Sequence, residues 1–252
     1  MDLLVNPIKA YAWGSHRVLA DLLGQPSPSP GPEAEMWMGA HASAPSKLVR
    51  DGVEMSLDAV IRASPAREIG EAALAAFGPR LPFLMKVLAA AQPLSLQAHP
   101  SRAQAEAGFD LEEAAGIPID APNRNYRDRN PKPELVCALT PFDALCGFRR
   151  IAESRALFDA LDVQALRPAR AALDLSPPPV ALRAAFTALM EMPKSLAGDA
   201  ARATVAACAR YVPRFARELA WGRRIGRIHP GDVGVALALL MNLIHLDPGE
   251  AL

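Results

Sequence analysis

Ser95, Gln97 and His99 alternate with Leu94, Leu96 and Ala98 in one short run of the chain. Such alternation is the pattern of a half-buried strand, and residues two apart in a strand share a face. A strand over residues 94–99 would therefore turn a hydroxyl, an amide and an imidazole to one side. Three adjacent polar groups on the inner side of an apolar protein need a partner, because unpaired buried polar atoms are costly. A metal ion or a polyol would serve.

A second run matches the first. It reads Lys132-Pro133-Glu134-Leu135-Val136-Cys137-Ala138-Leu139, and Pro133 biases Lys132 towards extended backbone. Lys132 and Glu134 then share a face as well. If the two faces meet, Gln97, His99 and Glu134 offer an amide oxygen, an imidazole nitrogen and a carboxylate. Imidazole and carboxylate are ordinary zinc ligands, an amide oxygen is a rarer one, and zinc usually takes four. A single histidine in a strand is equally the pattern of a hydrogen-bonded structural residue, and spacing alone leaves both readings open.

Other polar residues are weighed in the same way. Lys86 interrupts the apolar run Phe83, Leu84, Val87, Leu88, so it needs a compensating anion, either a structural carboxylate or a bound phosphate. Arg124, Arg127 and Arg129 surround Tyr126 in a polar loop. That stretch reads first as a solvated loop with ion pairs to Asp128, next as a substrate-side element, and last as an RNA contact. His16, His41, His229 and His245 lack ligand-like companions at close spacing, and Trp13 and Trp37 read as packing residues. The absence of GxGxxG, Walker and HExxH motifs argues against a nucleotide enzyme or a metalloprotease.

The elements that must position these residues sit in a chain of 252 residues, 51% of them hydrophobic, enough for one large domain or two small ones. Lys plus Arg is 27 and Asp plus Glu is 27, so no global charge attracts nucleic acid or an anionic membrane. The three cysteines, Cys137, Cys146 and Cys208, are odd in number with no CxxC pair, which points to a reducing cytoplasm rather than a disulfide framework. Residues 1–13 lack a signal-peptide pattern. The apolar stretch 233–246 contains Asn242 and His245 and is shorter than the roughly 20 residues a membrane span needs.

Prolines at 26–32 mark a surface loop. Strands are predicted at 33–41, 82–89, 94–99, 134–139 and 142–148, the last two as a hairpin or one bent strand across Thr140-Pro141. Helices are predicted at 56–62 with Ser56 as N-cap, at 66–77 ending at Gly78, and at 102–108 capped by Ser101. Residues 110–131 read as a loop. Residues 151–228, rich in Ala, Leu and Arg, read as a helical subdomain inserted between β elements, with prolines 177–179 separating two helical groups. Residues 242–246 read as a strand, 247–250 as a turn, and Ala251-Leu252 as the start of another strand. The chain stops there, and a missing C-terminal part is expected, with self-association through the truncated edge.

The blocks Tyr11-Ala12-Trp13-Gly14-Ser15, Ala34-Glu35-Met36-Trp37-Met38-Gly39-Ala40-His41 and Leu81-Pro82-Phe83-Leu84-Met85-Lys86-Val87-Leu88 are followed by residues 91–100. Next come Asn123-Arg124-Asn125-Tyr126-Arg127-Asp128, Lys132-Pro133-Glu134-Leu135, Ala138-Leu139-Thr140-Pro141-Phe142, Asn242-Leu243 and Pro248-Gly249-Glu250-Ala251. In this order they resemble the type I mannose-6-phosphate isomerase (phosphomannose isomerase) family, lacking its C-terminal part. The resemblance covers nearly all of 1–150 and 231–252; the helical region between matches only in character.

The resemblance implies a mixed β and α fold, a cupin-type β-sandwich (jelly roll) with an inserted helical subdomain. Residues 1–150 would be the N-terminal part of the cupin-like catalytic domain, 151–230 the helical insertion, and 231–252 the return to the sandwich, cut short. It implies zinc as cofactor, held by Gln97, His99 and Glu134, and a sugar-phosphate pocket lined by Glu35, Lys86, Ser95 and Lys132. Ala98, often Val in the family, points away from the polar face. A fourth zinc ligand, the His of a His-Ala-Tyr motif, and a substrate-contacting Arg would follow in the family beyond residue 252.

The implied reaction interconverts mannose 6-phosphate and fructose 6-phosphate through a cis-enediol. A metal would polarise the sugar oxygens, and Lys132, two residues from Glu134, is the candidate acid/base; a nearby cation disfavours an ammonium, which would make it a better base. The rival readings are a non-catalytic cupin-like module that holds a metal or sugar without turnover, and an inactive truncated fragment. The partner is a small-molecule sugar phosphate, with no nucleic acid and no membrane.

Overall fold

Residues Glu35–Gly39 alternate buried and half-buried side chains, as a strand with one face on a core must. In the computed structural model, which describes residues 2–210 and 212–252, this strand is the centre of a small antiparallel sheet. The chain divides into two compact units, Met1–Leu94 and Ser95–Leu252.

The first unit carries β1 (Leu3–Val5), β2 (Ile8–Lys9), β3 (Glu35–Gly39), β4 (Lys47–Arg50), β5 (Val53–Ser56) and β6 (Leu84–Leu88). They form two sheets, ordered β1-β4-β5 and β2-β3-β6. In the second sheet Glu35 stands opposite Lys9 on one side and Leu88 on the other, and Trp37 stands opposite Lys86. Opposed residues and residues two apart share a face, so Lys9, Glu35, Trp37 and Lys86 all project from the same side. The β4–β5 turn is Asp51-Gly52 with φ of 52° and 76°. Two positive φ values in a two-residue loop match the twist of the paired strands, which is why Asp-Gly is favoured there.

Helices α1 (Val18–Leu22), α2 (Leu57–Ala63), α3 (Pro65–Ile69) and α4 (Glu71–Phe77) complete this unit. The single helix expected over 66–77 is two, because Gly70 adopts a φ of 81° and breaks the helical path. Ser56 takes the N-cap position of α2 with extended backbone but makes no side-chain cap bond. Gly78 ends α4 as expected.

The second unit begins with an irregular run and then α5 (Arg102–Ala114). Its start is a capping box: Gln104 N donates to Ser101 Oγ at 3.4 Å and Ser101 N to Gln104 Oε1 at 2.9 Å. The helix runs through Ala114 rather than stopping at 108, so the following loop is shorter than expected. Next come β7 (Phe142–Phe148), α6 (Ile151–Leu161), α7 (Arg167–Ala172), α8 (Pro178–Met190), α9 (Lys194–Ala207), α10 (Ala216–Ile228), α11 (Gly234–Leu239) and β8 (Met241–Leu246). The expected helical run is present, and α8 starts on the prolines that separate its two groups. Leu157, Leu161, Leu166, Leu173, Leu189 and Leu240 are fully buried in one core among these helices. Each such leucine contributes about 1.5–3 kcal/mol of burial.

Two predicted strands are not strands. Residues 94–99 join no ladder, and Ser95, Gln97 and His99 are exposed rather than inward. Residues 134–139 hold only the antiparallel bridge Cys137–Ala251, supported by Val136 N to Leu252 O at 3.0 Å and Leu252 N to Val136 O at 2.9 Å. Nor do 134–139 and 142–148 form a hairpin. β7 pairs instead with β8, Phe142 opposite Leu246. Pro141 has no N–H to close a tight turn, and 134–139 turns to the chain end, which follows the turn closed by Glu250 N to Asp247 O at 2.9 Å. The fold is thus mixed α and β with small sheets. Among the described residues no helix is long and apolar enough to cross a membrane.

Candidate active site

The shared face of β2-β3-β6 holds the first group. Trp37 Nε1 donates to Glu35 Oε2 at 2.7 Å, and Lys86 Nζ lies 3.5 Å from the same oxygen. Glu35 and Trp37 are buried, whereas Lys86 is an exposed residue whose side chain is 33% accessible. The anion that Lys86 requires is therefore a structural carboxylate. Trp37 does more than pack, since its indole N–H fixes that carboxylate. Lys86 Nζ is 4.9 Å and Lys9 Nζ 4.6 Å from the Trp37 ring centroid, so two ammonium groups face one indole. His41 meets Trp37 edge-on at 5.0 Å. Burial, with a smaller contribution from the Glu35 carboxylate, pushes the Tyr11 phenol above its ordinary value.

Sequence reasoning passed over Lys9. The available signal was a lone cation in a short apolar segment beside Tyr11 and Trp13, which stack at 5.6 Å. Its neighbours on the sheet come from distant parts of the chain, so spacing could not reveal them.

The second group lies in the second unit. His99 Nδ1 donates to the Lys132 carbonyl at 2.8 Å. A carbonyl only accepts, so Nδ1 carries the proton and the Nε2 lone pair is left for another partner. Glu134 Oε2 is 3.7 Å from Nε2. Lys132 N donates to Pro100 O at 3.3 Å, tying the two runs together. Lys132 Nζ lies 3.9 Å from Asp128 Oδ2, while Asn130 occupies Oδ1 with its N–H at 2.8 Å and its amide at 2.9 Å. Ser95 and Gln97 are exposed and make no hydrogen bond among the described residues.

This donor set fits a divalent zinc ion. Two ligands of a tetrahedral zinc stand about 3.4 Å apart when each bond is about 2.1 Å, close to the observed 3.7 Å. The carbonyl on Nδ1 is the outer-shell contact that sets a zinc-binding imidazole in the right tautomer. Among the described residues no cluster of three or more His, Cys, Asp or Glu forms a metal site.

The loop leading to Lys132 is stapled to α5. Arg124 has no exposed side-chain surface and reaches Glu112 at 3.1 Å, Glu113 at 2.8 Å, Ile117 O at 2.6 Å and Tyr126 O at 2.7 Å. Phe109 receives Arg124 and Arg129 each 4.8 Å from its ring centroid, and Arg129 pairs with Asp110. The arginines were expected to pair with Asp128; the acids of α5 take Arg124 and Arg129 instead. Backbone N–H groups of Asn125, then Tyr126, with the Asn125 amide and Arg124, hold the Glu112 carboxyl below the usual carboxylate range. His245 also has companions, Asp143 at 2.9 Å directly across the β7–β8 ladder and Asp247 at 3.6 Å, while Arg217 reaches Asp143 at 3.0 Å.

Comparison with known proteins places this geometry. Residues 2–151 match the catalytic domain of phosphomannose isomerase type I. Mannose-6-phosphate isomerase of Escherichia coli is 41% identical over 253 residues, and that of Salmonella typhimurium 40%; both alignments cover 100% of this chain and 63% of the relative. A crystal structure of the Salmonella typhimurium mannose 6-phosphate isomerase, bound to its substrate fructose 6-phosphate and to zinc, superposes with a TM-score of 0.86 at 40% identity. It is matched over 100% of this chain and 62% of its own length. The chain belongs to the phosphomannose isomerase type I family and spans less than two thirds of the length of these relatives.

Proposed function

We propose that the chain acts as a zinc-dependent aldose–ketose isomerase that interconverts mannose 6-phosphate and fructose 6-phosphate through a cis-enediol, and that its fold is the cupin-type β-sandwich with residues 151–230 inserted. The likeness to the zinc- and fructose 6-phosphate-bound relative supports this reading. The observation that carries it is the His99–Glu134 pair, with the imidazole tautomer already set by the Lys132 carbonyl.

Gln97, His99 and Glu134 would hold the metal. Zinc, when bound, supplies a Lewis acid for the sugar oxygens. Lys132 Nζ would take the proton from C2 and return it at C1, while the hydroxyl proton passes from O2 to O1 in the enediol; Asp128 Oδ2 faces Nζ at 3.9 Å. Lys86 would contact the sugar phosphate, with Glu35 acting by fixing Lys86, and Ser95 is assigned as a substrate-binding residue. We assign the protein to the cytoplasm, in keeping with cysteines that are all free. The test is isomerisation of mannose 6-phosphate by the purified 252-residue chain, with added zinc and with chelator. Zinc-dependent turnover is expected, abolished in Lys132→Ala. A folded chain with no turnover at any zinc concentration rules the activity out.

A further inference from the structure

Lys9 stands directly opposite Glu35 in the ladder, yet the Glu35 carboxylate is turned to Trp37 and Lys86. Among the described residues no carboxylate lies within 4.0 Å of Lys9 Nζ. Half-buried Lys9 and exposed Lys86 thus bring two ammonium groups to one indole, with the Glu35 carboxylate turned to Lys86. The indole face offsets part of the desolvation of Lys9 but leaves its positive charge uncompensated. A charge partly withdrawn from water favours a counter-ion, and the Glu35 carboxylate on this face is engaged by Trp37 and Lys86.

We propose that Lys9 is an anion-contacting residue of the sugar-phosphate site, and that the anion is a phosphate monoester. The assignment rests on the isomerase reading for the identity of that monoester. Lys86 is already neutralised by Glu35 and supplies hydrogen-bond donors more than net charge. Lys9 supplies the charge that separates a phosphorylated sugar from its unphosphorylated form. Two compact ammonium point charges suit a phosphate, which presents several equivalent oxygens.

The experiment is a tryptophan-fluorescence titration of the full chain with mannose 6-phosphate, inorganic phosphate and mannose, for wild type, Lys9→Met and Lys9→Arg. Lys9→Met should weaken both phosphates about 10-fold, the loss of one charge-assisted contact, and leave mannose unchanged. Lys9→Arg should stay within about 2-fold of wild type, because it keeps the charge. A merely structural role, steadying Trp37, would weaken all three ligands alike, and that result overturns the proposal. So does Lys9→Met with wild-type phosphate affinity. If Lys9→Met does not fold, the wild type still decides: failure of inorganic phosphate to bind it saturably overturns the proposal. Phosphate binding that depends on Lys9 in a chain without isomerase activity would sink the functional reading and leave this assignment standing.

Discussion

Replacing Arg124 by methionine should cost the second unit about 4 kcal/mol. Methionine keeps part of the aliphatic packing but removes every polar contact. The guanidinium has no exposed surface, and it donates to the Ile117 and Tyr126 carbonyls at 2.6 and 2.7 Å. Hydrogen bonds from a charged group contribute roughly 1.5–3 kcal/mol each, and breaking a buried pair by removing one partner costs about 3–5 kcal/mol. The Glu113 contact adds little, because that carboxylate is 52% exposed. Urea unfolding followed by circular dichroism reads the change. With a slope of about 2 kcal/mol per M, the midpoint should fall by about 2 M. Arg124→Lys should recover little of this, since one ammonium cannot span two carbonyls and two carboxylates. A shift of less than about 0.5 M would refute the view that this guanidinium staples the loop to α5.

Three further outcomes follow from the geometry. Gly108→Ala should lower stability by about 1–3 kcal/mol in the same assay, because a methyl at that point of α5 would overlap the Tyr126 ring. Leu157→Ala should cost about 2–5 kcal/mol, since Leu157 is fully buried in the helical core. Stability should also fall in acid. The Glu112 carboxyl is held below its unfolded value by the Asn125 and Tyr126 N–H groups and Arg124. Its contribution is therefore complete above an unfolded value of about 4.3 and is lost as pH drops through the folded one. Urea midpoints between pH 6 and pH 3 should decline, and Glu112→Gln should flatten that decline.

The sequence disclosed those parts whose signals are local. β3 and β6 follow from alternation around Glu35 and Lys86, the helical run from its spacing, and the start of α5 from Ser101 and Gln104. The His99–Glu134 pair was also legible, because each residue sits two places from another polar one and the resemblance joined them. Asp51-Gly52 was a hairpin signal in plain view that was not read, and Gly70 broke a helix that apolar spacing alone carried through. Pairings between distant segments left no local trace. β7 meets β8 across the whole helical run, whereas local pattern points to the nearby segment 134–139 as its partner. The strand expected at 94–99 had the right alternation but no ladder to join. Arg124 looked like a solvated residue because its burial depends on Glu112, Glu113 and Phe109, which converge only once α5 runs through Ala114. Lys9 gained meaning only from its cross-strand neighbours.

The central claim is that His99 and Glu134 form the heart of a zinc centre. Calorimetric titration of zinc into the metal-free chain tests it most directly, alongside His99→Ala and Glu134→Gln. One zinc per chain is expected for wild type. Each variant should bind at least about 10–100-fold more weakly, as is usual even for loss of an outer-shell partner, while keeping the wild-type circular dichroism. Zinc bound with unchanged affinity and stoichiometry by folded His99→Ala would contradict the account.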